Sequence, residues 1–117
     1  MTPEGKVKNE VKKHLKDEGI FYFMPMQNGY GLVGIPDILA CVPVKITPDM
    51  VGMTIGAFMG IETKAPGKEK NTTPNQKNVL KSIADCMGSA FVTSDAQVVD
   101  TAILTLRTTG TPTYDVP

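Results

Sequence analysis

Apolar residues recur at every fourth position from Val7 through Val11 to Leu15, separated by lysines. This spacing predicts an amphipathic helix. Thr2-Pro3-Glu4 opens it, since threonine caps, proline suits a first turn and an acid there complements the helix dipole. Gly19 ends it. Residues 20–24 are β-branched and aromatic, hence a strand. Residues 27–34 carry three glycines and form a loop with unusual backbone angles. Residues 38–44 are a nearly continuous apolar run, the pattern of a strand buried on both faces. A polar excursion with a short turn at Thr47-Pro48-Asp49 leads to another strand over 57–64, stopped by Ala65-Pro66-Gly67. Thr73-Pro74 starts a second helix with apolar positions Val79, Leu80, Ile83, Ala84 and Met87, closed by Gly88. A short strand over 90–93 and a last helix over 95–106, capped by Ser94, complete the pattern. Residues 110–117 read as a loose tail. The order α-β-β-β-α-β-α predicts an α/β fold, a mixed central sheet of about four strands flanked by helices.

Length changes the picture little: 117 residues suit one domain over 1–117. No apolar run approaches the roughly 20 residues of a membrane-spanning helix. The lysine-rich start lacks the apolar stretch of a signal peptide, so a cytoplasmic protein is expected. Cys41 and Cys86 lie far apart in apolar contexts and read as reduced, buried side chains.

Net charge is zero, but its distribution is uneven. Between Glu62 and Lys81 five lysines (64, 68, 70, 77, 81) face Glu62 and Glu69, a local excess of three. From Ser82 onward four aspartates face Arg107, a local deficit of three. Such asymmetry can give a neutral protein a phosphate-facing surface; charge alone fits a solvated lysine-rich loop and helix better.

Candidate chemistry sits on the two central strands. Alternation along residues 57–64 puts Glu62 and Lys64 on one face and Thr63 on the other. A carboxylate and an amine are costly to place on a core strand without a purpose. Asp37 precedes the other strand, after Gly34-Ile35-Pro36. If the two strands form an antiparallel hairpin, Asp37 and Glu62 stand near one end and can share a cation. Hard oxygen ligands suit Mg²⁺ or Mn²⁺, which would activate a phosphodiester and a water. Lys64 fits the orientation of that water and the balancing of transition-state charge. Glu4, in the first helical turn, can add a carboxylate, as can Glu10 about a turn and a half further on. Gln76 can hydrogen-bond a water or phosphate. Each residue also has a plain structural use: Asp37 as a local backbone cap, Glu62 and Lys64 as a solvated pair, Glu4 as a first-turn acid, Gln76 as a helix-surface residue.

The ordered set Gly-Ile-Pro-Asp-Ile-Leu-Ala, Phe-Met-Gly-Ile-Glu-Thr-Lys-Ala-Pro-Gly and Thr-Pro-Asn-Gln resembles the stand-alone, phage-type VRR-NUC domain of the PD-(D/E)xK nuclease superfamily, from Glu4 to about Thr93. The resemblance implies a restriction-endonuclease-like core. It implies that Asp37 and Glu62 ligate metal, with the backbone carbonyl of Thr63 a further ligand. It makes Lys64 catalytic, Glu4 the acid of the first helix and Gln76 the glutamine of the second. Stand-alone members resemble homodimeric resolvases of four-way (Holliday) junctions, which implies branched DNA as substrate and a two-fold partner. In a phage-encoded protein the compartment would be the host cytoplasm.

Other features stay open. His14 reads as a helix-surface or partly packed residue. The methionines suit core filling or a dimer surface. The glycine-rich loop is too irregular for a nucleotide-binding fingerprint and reads as a loop beside the metal site, with Tyr30 available to DNA. Lys68, Lys70 and Lys77 are the other expected DNA contacts.

Overall fold

A computed structural model of the protein describes residues 1–26 and 34–117. Tyr30 and most of the glycine-rich loop lie outside the described residues. The fold is mixed α/β, with three α-helices and two small sheets among the described residues. The chain divides into two compact units, Met1–Val42 and Pro43–Pro117.

In the first unit, α1 (Pro3–Asp17) starts where expected: Thr2 is the N-cap, its hydroxyl accepting from the Gly5 N–H at 2.9 Å. The helix packs against β1 (Phe21–Phe23), reached through a turn at Gly19. β1 pairs antiparallel with β2 (Leu39–Cys41), Tyr22 opposite Ala40. This corrects two expectations. The apolar run 38–44 yields three strand residues, and only Cys41 among them is buried. Val42 and Val44 are more than half exposed, at 56% and 53%. Pro43 has no N–H to donate and β1 is itself three residues long, so the ladder stops. The antiparallel hairpin expected of 38–44 with 57–64 is replaced by other pairings: β2 joins β1, and the later strand joins a parallel sheet.

That second sheet has the order β3 (Met59–Thr63), β4 (Ser89–Thr93), β5 (Tyr114–Asp115), all parallel. The tail expected over 110–117 therefore supplies a strand, Ala90 pairing with Tyr114. A parallel return needs a crossover, and α2 (Pro74–Asp85) and α3 (Ala96–Thr109) provide the two. β4, in the middle, is buried at all five residues. Phe91 is fully buried. α3 runs three residues beyond the expected Leu106 and ends at Gly110, whose φ of 73° is the left-handed cap that glycine accepts.

Alternation decides which helix meets which face. A Cβ on Gly60 would lie 2.7 Å from Ile83 Cδ1 and 3.8 Å from Leu80 Cδ2, so the even-numbered face of β3 looks at α2. Ile61 and Thr63 look the other way, into a groove shared with Ala96 and Val99 of α3. Cys41 and Cys86 are both buried, as their apolar contexts predict. No helix among the described residues is long and apolar enough to cross a membrane.

Candidate functional site

The second unit gathers Glu62, Lys64 and Gln76 into one bonded group. Lys64 follows the last residue of β3, and its N–H still donates to the Thr93 carbonyl at 3.0 Å, holding it in the extended register. Glu62 and Lys64 therefore share a face. Their charged atoms are 3.7 Å apart, with side chains 31% and 17% exposed. Gln76 lies in the first turn of α2 and bridges them. Its Nε2 donates to Glu62 Oε1 at 2.8 Å, and its Oε1 accepts from Lys64 Nζ at 3.0 Å.

The geometry leaves the group able to act. Glu62 Oε2 takes no hydrogen bond among the described residues, because Gln76 engages the other oxygen. An ammonium has three donors, and Gln76 uses one of those on Lys64. The carbonyls of β3 alternate as well. Phe58 O and Lys64 N bond to β4, so the backbone groups of odd-numbered residues, the Thr63 carbonyl among them, point to the side of β3 away from β4. One carboxylate oxygen and one carbonyl are hard donors of the kind Mg²⁺ and Mn²⁺ take, so these residues fit part of such a site. Within either unit, among the described residues, no three His, Cys, Asp or Glu side chains cluster as a complete metal cage.

The group stands at the carboxyl ends of parallel strands, where open α/β sheets form their ligand crevices. Pro66 and Gly67 (φ 83°) turn the chain away from β3, and a single 3₁₀ turn, Glu69–Asn71, leads to α2. Lys68 and Lys70 in this connection, and Lys77 on α2, are exposed. On the opposite face of β3 is the groove, about 430 Å³, lined by Ile61, Thr63, Lys64, Ser94 and Val99 among others. At its rim Ser94 donates to Glu69 Oε1. That bond, with backbone donors at Glu69 and Gly67, holds the Glu69 carboxyl below the ordinary range despite a smaller opposing effect of desolvation.

Two expected site residues belong to the first unit. Asp37 precedes β2 by two residues, is exposed, and pairs with Lys8 at 3.8 Å. Glu4 is exposed in the first turn of α1, and Glu10 is exposed on the same helix. His14 is exposed, as expected of a helix-surface residue, beside Glu10 and Val11.

Sequence reasoning uses Thr73 only as the start of α2 and does not single out Lys8. Thr73 caps α2 in a reciprocal box with Gln76, and Thr-Pro-Asn-Gln carries the T-x-x-Q signature of that motif. Lys8 has no comparable signal, because its pairing with Asp37 joins residues distant in the chain. No protein-family model, curated protein or solved structure matches this chain.

Proposed function

We propose that this protein is a metal-dependent endonuclease of the PD-(D/E)xK type, acting on DNA. The observation that carries the reading is the Glu62–Gln76–Lys64 bridge: three residues named from their order in the chain form one hydrogen-bonded group. A strand carboxylate held beside a strand lysine by a helix glutamine is more than a solvated ion pair needs, since exposed pairs seldom hold one geometry.

In this reading Glu62 and the backbone carbonyl of Thr63 would be among the groups that hold Mg²⁺ or Mn²⁺. Asp37 and Glu4 are the further carboxylates that the resemblance assigns to the metal. The bound ion would supply Lewis-acid activation of the phosphodiester and of a water. Lys64 uses its remaining donors to orient that water and to meet the negative charge that builds on the phosphoryl oxygens as the P–O bond to the leaving sugar breaks. Gln76 keeps the lysine from swinging away. Lys68, Lys70 and Lys77 neutralise flanking phosphates, which makes binding salt-dependent. The restriction-endonuclease-like core, the single domain over 1–117 and the cytoplasmic setting belong to the same proposal, as does the homodimer: cutting two symmetry-related strands of a four-way junction calls for two centres related by a two-fold axis.

The test is cleavage of labelled four-way junction, flap and duplex DNA with Mg²⁺ or Mn²⁺. Wild-type protein should introduce paired nicks in junctions, and Glu62→Ala and Asp37→Ala should each abolish them. Undiminished cutting by both variants would dismiss the site, and salt-sensitive binding without cleavage by the wild type would make the protein a DNA-binding module. Light scattering should give twice the 12.6 kDa chain mass.

A further inference from the structure

The bonds at the start of α2 join the cap of that helix to the side chains of β3. The Thr73 hydroxyl accepts from the Gln76 N–H at 3.1 Å, and Gln76 Oε1 accepts from the Thr73 N–H at 3.0 Å. Such a box ordinarily does no more than satisfy first-turn amides. Here the same Oε1 also accepts from Lys64 Nζ, while Nε2 donates to Glu62. The amide can point only one way. Turned over, its NH₂ would face an ammonium and an N–H, and its oxygen would face a carboxylate. Thr73 is itself well placed as an anchor. The preceding Thr72 is buried at 6% exposure and its hydroxyl donates to the Glu69 carbonyl at 2.6 Å, closing the connection from β3.

We propose that Thr73 is a positioning residue: by its backbone N–H and its cap it holds the Gln76 amide, and that amide aligns Lys64 with the Glu62 carboxylate. The catalytic meaning of the alignment rests on the nuclease reading; the alignment itself does not.

The experiment compares Thr73→Ser, which keeps hydroxyl and N–H, with Thr73→Pro, which removes both. Proline suits the site, since Thr73 sits at φ −73° and ψ 159° and Thr72 at φ −61° and ψ 122°. Thr73→Pro should lower kcat by about 10–100-fold with KM little changed, the range seen when a group supporting a site residue is lost. Thr73→Ser should restore wild-type rates. The side-chain amide NMR signals of Gln76 should shift in the proline variant and stay in place in the serine variant. Asp95→Ala, which removes the cap of α3, controls for a general loss of helix stability and should leave kcat unchanged. If Thr73→Pro fails to fold, Thr73→Ala takes its place, with a smaller fall in kcat and the same amide shift. A folded variant with unaltered Gln76 signals, or with altered signals and wild-type kcat, overturns the proposal. Wild-type protein that cuts no DNA sinks the nuclease reading instead, and the amide signals alone then decide the alignment.

Discussion

Removing the bridge should be measurable without any assay of activity. Gln76→Ala deletes three hydrogen bonds: one from Nε2 to a carboxylate, one from an ammonium to Oε1, and one from the Thr73 N–H. Bonds to charged partners contribute about 1.5–3 kcal/mol each and neutral ones about 1 kcal/mol. Glu62 and Lys64 keep 31% and 17% of their side-chain surface in contact with water. Water therefore replaces part of what is lost, and the lower end of the range applies. The sum is a loss of about 4 kcal/mol, to be read from urea denaturation as a lower midpoint at constant slope. Gln76→Glu separates the two halves of the bridge. Its carboxylate can still accept from Lys64 and from Thr73, but it faces Glu62 with like charge. Repulsion raises the affinity of this carboxylate pair for a proton in the folded state, so the destabilisation is full at neutral pH and is relieved as pH falls through the raised value. Relative to wild type, Gln76→Glu should thus recover stability as the medium is acidified. A Gln76→Ala protein within about 0.5 kcal/mol of wild type, the range of an ordinary surface change, would show that the bridge holds nothing. So would a Gln76→Glu protein without the acid recovery.

Two further perturbations test the surroundings of the site. Ser94→Ala frees Glu69, whose carboxyl should then titrate higher than in wild type by NMR. Because the folded value is the depressed one, the stability margin of wild type over this variant should be present above the ordinary glutamate range and vanish as pH falls through the folded value. Gly60→Ala puts a methyl 2.7 Å from Ile83 Cδ1. That atom is the end of a flexible side chain and can turn aside, so the cost should be near 1 kcal/mol by denaturation, the low end for overpacking; a neutral result would mean that α2 does not press on β3 there.

Much of the second unit is legible in its residues because its signals are local. Thr2-Pro3 and Thr73-Pro74 open helices through backbone chemistry that acts within a turn, whereas the expected end of α3, at Leu106, falls short of its Gly110 stop. Glu62 and Lys64 share a face because strands alternate, whatever they pair with. Strand pairing has no such local origin. The run over 38–44 is as apolar as a central strand, yet its strand ends at Cys41 and, among the described residues, pairs with β1 alone, since length and partner are set by residues far away in the chain. The tail over 110–117 carries the opposite lesson. Thr-Pro-Thr-Tyr has no apolar stripe, and β5 forms because the edge of β4 offers unpaired backbone groups, the Ala90 N–H meeting the Thr113 carbonyl at 2.8 Å. The bridge itself is half visible: strand alternation sets Glu62 beside Lys64 and the resemblance adds Gln76, but neither says that Gln76 touches the other two.

That contact follows from the way α2 returns along β3. Gln76, Leu80 and Ile83 are spaced by four and three residues and so lie on one side of the helix. Gln76 meets Glu62 and Lys64, while Leu80 and Ile83 meet Gly60, so helix and strand run in opposite senses. The lengths agree: seven helical residues rise about 10 Å, and the four strand steps from Lys64 back to Gly60 span about 13 Å. The absence of a side chain at Gly60 lets Ile83 come close at the buried end, and this close approach brings the first turn of α2 within hydrogen-bonding reach of the polar pair at the other. The packing that closes the core on this face of β3 is thus the same packing that assembles the candidate site. Loosening the Ile83 end should loosen Gln76 about 10 Å away, a coupling carried by one rigid helix.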